Sequence, residues 1–479
     1  MKLLLINPPF LPKYSRASRS PAVTKSGTIY YPLWLAHAAG LLEAKGHEVK
    51  LIDFPAGGIN LEGRKKEITG FNPDIMVFET STPSVESDVK CVERIKSWFQ
   101  DKKIAVLVGT HPTAMPHETL NLSGSVDIIV RGEYDWALCD LAAGKGDFTG
   151  VSGISYRLNS VIVDNPARTP GENLDEVPFV SKVYKKHLNI NDYFYAHCKN
   201  PVISIFAGRG CPNRCTYCVY PQVMFGRRYR HRSAGNFVDE LEYIKKEFPR
   251  VKEVLIDDDN FAADRKFVED VCEEIIRRGI KLVWTVEVRA DLQLKLMKKM
   301  KQAGCRMLVA GFESGNQKIL DNINKGITVE QSLEFVKNAK KAGLRVHGCF
   351  MAGNPGETKQ TLQETLDFAI KLEPDTAQFF PLMVYPGTEA FRWAQSKDFI
   401  RAKCFRDWLT PEGLHNCVLE TPDLKPAELV NFCNYARKKF YLRPKYIFYK
   451  LADIIAHPGE AVRTLKSLKT FFKYLIKTE

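Results

Sequence analysis

The sequence predicts an α/β chain in three parts: an amino-terminal doubly wound parallel sheet, a partial (β/α)6 barrel and a helical carboxyl-terminal region. Three observations predict it. Residues 1 to about 140 alternate short apolar runs with amphipathic stretches, six apolar runs recur from Pro201 onward with helical stretches between them, and the strand pattern stops near residue 391. Strands alternating with helical patterns at this spacing build parallel sheets joined by crossover helices. The expected boundaries are 1–144 for the first unit, 145–195 for a linker, 196–390 for the barrel and 391–479 for the tail.

In the first unit the strand candidates are 3–7, 48–53, 74–79, 104–109 and 126–131, with helical stretches at 33–45 and 86–100. Ligands of such sheets sit outside the carboxyl ends of the strands. Asn7, Pro8, Pro9, Thr80, Gly109, Thr110, His111, Gly132 and Glu133 are therefore expected to line one crevice. No G-x-G-x-x-G follows the first strand, so a dinucleotide site lacks its fingerprint. Residues 145–195 are rich in Gly, Pro and Asp around a hairpin-like pair, 154–157 and 161–163, and read as a linker with little core of its own. The barrel strands are expected at 202–206, 253–256, 282–288, 307–312, 345–351 and 377–384, with functional residues at their carboxyl ends.

After the first of these strands and the turn Gly208-Arg209-Gly210 stands Cys211-Pro212-Asn213-Arg214-Cys215-Thr216-Tyr217-Cys218. Three thiolates on one loop suit a metal. A structural zinc site wants four ligands, and the nearest spare donor is His231. A bacterial ferredoxin run carries a fourth cysteine that this loop lacks. Three thiolates can instead hold three irons of a cubane cluster and leave the fourth iron open. This C-x3-C-x2-C loop, with aromatic Tyr217 before the last cysteine, resembles the signature of the radical S-adenosylmethionine (SAM) superfamily. The resemblance implies a [4Fe–4S] cluster on Cys211, Cys215 and Cys218, with SAM beside Tyr217 at the open iron.

One motif follows at each later strand end. Asp257-Asp258-Asp259-Asn260-Phe261 could suggest magnesium or calcium, but the other donors of an EF-hand loop are missing. The resemblance implies that Asp257 and Asp258 meet the amino group of SAM. Arg289 can pair with the SAM carboxylate, and Glu313 and Ser314, within Gly311-Phe312-Glu313-Ser314-Gly315, can hold ribose hydroxyls. Gly353-Asn354-Pro355-Gly356-Glu357-Thr358 matches the family's G-x-P-G-E-T turn, placing Gly353 and Pro355 at the adenine end. The first unit, with Tyr31-Pro32-Leu33-Trp34, Gly46-His47-Glu48, Gly109-Thr110-His111-Pro112 and Arg131-Gly132-Glu133, is similar to the cobalamin-binding domain that precedes many radical SAM domains. It lacks D-x-H-x-x-G, so cobalamin is expected on the crevice residues with no histidine on cobalt.

The implied activity is that of a cobalamin-dependent radical SAM enzyme. It would cleave SAM to methionine and a 5′-deoxyadenosyl radical and modify an unactivated carbon, by C-methylation first of all. Oxidative cyclisation or ring rearrangement of a tetrapyrrole or lipid-like substrate is the alternative, and magnesium-protoporphyrin monomethyl ester oxidative cyclase shares this domain order. Two other classes fit less well. A tRNA-modifying methylthiotransferase would carry further cluster cysteines in its first domain, where only Cys91 and Cys139 occur, and a cofactor carrier needs no SAM-shaped barrel mouth. The implied partners are a small-molecule or lipid-like substrate and an external electron donor of flavodoxin or ferredoxin type. Nucleic acid is not expected, although the net charge of +13 favours anionic partners. No catalytic side chain is assigned.

The first apolar run is too short for a signal peptide, and no stretch approaches the roughly 20 apolar residues of a membrane span. A cytoplasmic location is therefore expected, with the 12 cysteines serving as ligands or core thiols. In the tail, Ala461, Leu465, Leu468, Phe472 and Leu475 share one helical stripe beside Lys466, Lys469, Lys473 and Lys477. With the cations and aromatics interleaved over 437–450, this basic helix is expected to touch the inner membrane face, and the tail to cover the barrel mouth.

Overall fold

Strand β1 (Lys2–Asn7) is an apolar run whose Leu3, Leu4, Leu5 and Ile6 have no exposed surface, as a strand covered on both faces requires. The computed structural model describes residues 1–58, 60–144, 147–159 and 161–456. In it β1 is joined by β2 (Glu48–Asp53), β3 (Ile75–Glu79), β4 (Ile104–Val108) and β5 (Ile128–Val130) in one parallel sheet. Leu3, Leu5, Val77 and Val106 face one core with the helix Leu33–Ala44, while Leu4, Ile6, Met76, Phe78 and Leu107 face another with the helix Val85–Lys96. The sheet is thus doubly wound. Its order is β2-β1-β3-β4-β5, so the direction of winding reverses between β1 and β3 and opens a crevice at their carboxyl ends.

Residues 145–195 do more than link. Their hairpin, β6 (Ile154–Leu158) and β7 (Val161–Asp164), continues the same sheet antiparallel to β5, giving seven strands. Ile154 and Tyr156 alternate inward and are buried, which a segment with no core of its own would not allow. Further on, Tyr184 and Tyr193 stack on Tyr31 with ring centroids 4.4 and 3.8 Å away.

The second unit is a six-stranded parallel sheet: β8 (Val202–Ile205), β9 (Glu253–Ile256), β10 (Trp284–Val288), β11 (Cys305–Glu313), β12 (Arg345–Ala352) and β13 (Thr376–Pro381), each paired with the next. Register sets the lumen. Glu287 pairs with Val309, Val309 with His347 and His347 with Thr376, and one layer higher Gly311 pairs with Cys349 and Cys349 with Gln378, so each row shares a face. The free edge of β13 is covered by the helix Pro426–Tyr441, from which Tyr441 Oη bonds both the amide and the carbonyl of Ala377 at 2.9 and 2.7 Å. Covering an edge in this way blocks further strand pairing.

Among the described residues part of the tail lies at the barrel mouth, where Trp408 Nε1 donates to the Val384 carbonyl at 3.2 Å and His415 Nε2 meets Ser20 Oγ, beside Arg19, at 2.8 Å. The helix Pro444–Ala456 docks at the amino ends of β12 and β13, where Arg345 pairs with Asp453 at 2.6 Å and Tyr446 Oη donates to the Asp375 carbonyl at 3.0 Å. The turn Phe405–Trp408 also reaches the crevice of the first unit, with the Phe405 ring 4.5 Å from that of His111. The expected helix at 460–477 lies outside the described residues.

Candidate functional site

The cysteine loop is shaped from both ends. Gly210 has φ +85, and a Cβ there would lie 2.3 Å from the Arg228 carbonyl oxygen, so only glycine fits the turn. Asp258 receives the amides of Ala207 and Gly208 at 2.7 and 3.0 Å and the Tyr229 hydroxyl at 2.7 Å, and Asp259 receives the Gly210 amide at 3.2 Å. On the far side Gln222 Nε2 donates to the carbonyls of Cys215, Thr216 and Cys218 at 3.3, 3.0 and 2.8 Å. Burial pushes the Cys211 and Cys218 thiols up, and the charges of Asp259 and of neighbouring cysteines push them further. A bound cation would reverse that shift. Among the described residues no three Cys, His, Asp or Glu side chains converge on one metal-ion position. A single tetrahedral zinc would draw its thiolates to within ~3.8 Å of one another, whereas a cuboidal cluster gives each thiolate its own iron.

Tyr217 aims its hydroxyl away from the cysteines and donates to Glu313 Oε1 at 2.8 Å, an oxygen that Lys325 Nζ also meets at 2.8 Å. Gly311 leaves room for this pair, since a Cβ there would lie 2.2 Å from Glu313 Oε1. Glu313 itself sits at φ +62, a left-handed conformation that costs energy for a residue with a side chain. Its Oε2 is buried without a hydrogen-bond partner, as is Asn260 Oδ1, and Asp259 Oδ1 has only the Arg19 guanidinium 3.5 Å away. Buried acceptors with no donor point to a ligand rich in donors. The ammonium and ribose hydroxyls of SAM are such donors, and the residues present fit it.

Arg19, from the loop that follows β1, crosses into the barrel mouth. Its Nη1 lies 2.8 Å from Asp257 Oδ1 and 2.7 Å from Glu287 Oε2, and its Nε 3.5 Å from Asp259 Oδ1. One guanidinium thus faces three carboxylates. Burial, and after it the neighbouring carboxylates, push the Glu287 carboxyl up to about 8, although Arg19 opposes the shift. Neither Arg19 nor Glu287 belongs to a motif in the sequence.

Other expected SAM contacts are committed to the protein. Asp258 spends both oxygens on the turn before the cysteines. Arg289 bonds the Lys325 carbonyl and lies 3.4 Å from Asp291, and Ser314 shares a hydrogen bond of 3.0 Å with Thr365. Gly353, at φ +100, donates its amide to Glu357, and the Pro355 carbonyl accepts from Asn322 at 2.8 Å. These residues shape the pocket walls by tying one strand end to the next.

The crevice of the first unit divides in the same way. Asn7 is taken up by Asp53 at 2.9 Å and by Arg16 at 2.8 Å, Arg16 also bonds the Pro8 carbonyl and Asp88, and Pro9 stays half-buried. Glu133 is held by Arg209 at 3.2 Å and Arg230 at 2.7 Å, so it is an anchor between the units with no free oxygen for a ligand. The Gly132 amide donates to Thr113 at 3.0 Å. By contrast Thr80 Oγ1, Glu79 Oε2 and His111 Nε2 are buried without partners. Gly109 lies so close to β3 that a Cβ would stand 2.3 Å from the Thr80 carbonyl oxygen, and Thr110 opens the next helix half-buried. These unpaired atoms around the switch point fit a polar-edged ring such as cobalamin. Burial pushes His111 down to about 3, which keeps it neutral under Phe405.

Comparison with known proteins follows the same division. The model of the Radical SAM superfamily matches residues 205–369, and that of the B12 binding domain matches residues 19–142. A Pyrococcus horikoshii protein named uncharacterized methyltransferase PH0819 is 32% identical over 467 residues, covering 97% of this chain and 96% of its own. The chain belongs to the cobalamin-binding radical SAM family. Its cofactors are accordingly a [4Fe–4S] cluster, SAM and cobalamin. The anaerobic magnesium-protoporphyrin IX monomethyl ester cyclase of Rubrivivax gelatinosus is 30% identical, with 75% of this chain and 66% of the cyclase covered. Among solved structures, the radical SAM methyltransferase TsrM from Kitasatospora setae, with cobalamin and a [4Fe–4S] cluster bound, shares the fold at a TM-score of 0.70 and 17% identity, over 93% of this chain and 89% of that one.

The raised Glu287 carboxyl of this radical SAM barrel sets a pH dependence. Between its ordinary value and about 8 the folded chain holds a proton that the unfolded chain has released, so this group lowers stability as pH rises through that window. Glu287→Gln removes the effect. The thermal midpoint of the variant relative to the native chain should climb steadily from pH 5 to pH 8, and a constant difference would show that Glu287 does not titrate in this range.

Proposed function

We propose that this enzyme transfers a methyl group to a carbon of a small molecule held in the barrel lumen. One observation carries the reading: Arg19, on the loop leaving strand β1 of the first unit, ends among Asp257 and Glu287 at the barrel mouth, which supports cofactor sites that open on one lumen. The full-length similarity to a protein named a methyltransferase supports it. When bound, the cluster with SAM supplies one-electron cleavage chemistry and cobalamin supplies methyl-carrier chemistry.

The chain's own residues do the placing. Cys211, Cys215 and Cys218 would hold the cluster. Glu313, Asp257 and Asp259 would receive the donors of SAM, with Tyr217 and Lys325 fixing Glu313. Thr80, Glu79 and Gly109 would border cobalamin. The helix Pro426–Tyr441 covers the edge of β13, and the turn Phe405–Trp408 packs over His111 at the crevice. A flavodoxin- or ferredoxin-type protein would supply the electron.

The test is incubation of the reconstituted chain with SAM deuterated at its methyl group. The expected result is 5′-deoxyadenosine together with a product carrying the deuterated methyl. The similarity to the cyclase favours a second reading, oxidative ring closure, and 5′-deoxyadenosine with an unlabelled, dehydrogenated product would establish it in place of methylation.

The membrane expectation has one supporting feature. Among the described residues no helix is long and apolar enough to cross a membrane. On the helix Pro444–Ala456, however, Phe448, Leu451 and Ile455 are 71%, 53% and 80% exposed, and Ile447 is 44% exposed. An apolar stripe of this kind beside Lys445 suits the surface of an anionic bilayer and a lipid-like substrate. In flotation with anionic vesicles at low salt the native chain should rise with the lipid and the double variant Phe448→Ser, Ile455→Ser should not. Equal flotation of the two would remove this surface from the reading.

A further inference from the structure

Lys25 and Arg437 form a cationic pair that the cofactor sites leave unused. Lys25 belongs to the loop that carries Arg19, and Arg437 to the helix that covers the edge of β13. Their head groups meet on one neutral oxygen: Lys25 Nζ donates to Asn434 Oδ1 at 2.5 Å, and Arg437 Nη1 to the same atom at 3.2 Å. Arg437 Nη2 donates to the Phe379 carbonyl at 2.8 Å. Among the described residues no Asp or Glu carboxylate pairs with either cation, and none figures among the charges that shift them. Burial, and then Arg437, push the Lys25 ammonium down to about 8. Two partly buried cations sharing one amide oxygen repel each other, and an anion between them would relieve both the repulsion and the lost hydration.

The pair stands at the edge strand β13, where Arg437 holds the Phe379 carbonyl. Gln378 shares the lumen face with Cys349 and is exposed, although Ala377 and Phe379 beside it are buried. Space therefore exists inside β13, one residue from the carbonyl that Arg437 holds. The segment from Arg19 to Lys25 runs between the two charge clusters. Next to Arg19, Ser20 Oγ meets His415 Nε2 at 2.8 Å, and burial, with Arg437 and Lys25 adding to it, pushes His415 down to about 4, so it contributes no charge. The lumen is thus polarised, with Asp257 and Asp259 around Arg19, beside a Glu287 that keeps its proton at neutral pH, at one side and Lys25 and Arg437 at the other. An anionic molecule entering it would be turned with its charge toward β13 and its far end toward the cofactors.

We propose that Lys25 and Arg437 bind an anionic group, carboxylate or phosphate, of the molecule that the lumen accepts. That this molecule is the one methylated rests on the methyl-transfer reading, whereas the anion site does not.

The test is calorimetric titration of the full-length, cofactor-reconstituted chain near neutral pH with inorganic phosphate and, separately, with acetate. Saturable binding of at least one is expected, weakened about tenfold in Lys25→Met and in Arg437→Met, the usual loss when one charged hydrogen-bonding partner is removed. Lys90→Met, at an exposed position of the helix Val85–Lys96, should bind as the native chain does. Binding of phosphate alone or of acetate alone identifies the group. Should Arg437→Met fail to fold, carbon-13 resonances of reductively methylated Lys25 still report: its titration midpoint should move upward when the anion is added. No saturable binding by the native chain, or equal binding by the native chain and Lys25→Met, would overturn the proposal. Because binding is read without turnover, a chain that takes up the anion yet methylates nothing would reject the methyl-transfer reading and leave this site standing.

Discussion

Arg209 joins the two halves of this chain at the point where their chemistry must meet. Two residues before the first cluster cysteine, its guanidinium is 1% exposed, pairs with Asp135 at 2.6 Å and Glu133 at 3.2 Å, and lies 5.2 Å from the Trp34 ring and 4.8 Å from that of Phe206. Arg230 holds Glu133 from the other side. A buried ionic network of this kind adds little net stability over an apolar packing of the same volume, but removing one member costs about 3–5 kcal/mol because the others stay buried and unpaired. What it does supply is register. The cysteine loop cannot slide relative to the first sheet without stranding two carboxylates, so the cluster and the crevice of the first unit hold one relative position.

Charge is distributed to match. Asp258, with both oxygens satisfied, is structural, whereas Asp257, Asp259 and Glu287 share a single guanidinium and the neighbouring Asn260 Oδ1 has no hydrogen-bond partner. Such a site is incomplete until donors arrive, which is the condition for binding a cationic cofactor tightly without first breaking strong internal contacts. The left-handed Glu313, kept in place by Tyr217 and Lys325, adds a second open acceptor on the same side.

Most of the fold was legible from the chain because its strands are covered on both faces. Ile104–Val108 and Ile128–Val130 read as unbroken apolar runs, and the helix Lys359–Leu372 has clear limits in Thr358 and Glu373. The hairpin at 154–164 was recognised, but not its place in the sheet, because pairing with β5 is decided by tertiary contact and leaves no periodic signal. The cysteine spacing and the acidic run after β9 were legible for a different reason: the residues of each lie together in one loop. Arg19, Glu287, Lys325, Gln222 and Tyr229 were not, since their roles come from contacts distant in sequence; the Arg19–Asp257 pair spans 238 positions. Asn7, Asp258 and Glu133 show the converse. A polar residue at a strand end can be positioned by the fold to serve the fold.

The claim on which the account stands is that one loop holds the cluster while a separate unit holds cobalamin. Iron and cobalamin content, with Mössbauer spectra, measured together on the triple variant Cys211→Ala, Cys215→Ala, Cys218→Ala and on the native chain after identical reconstitution, test it directly. The native chain should carry one [4Fe–4S] cluster and one cobalamin, and the variant should lose the iron signal while keeping cobalamin. Retained cluster iron in the variant, or loss of both cofactors from a chain that remains folded, would contradict it.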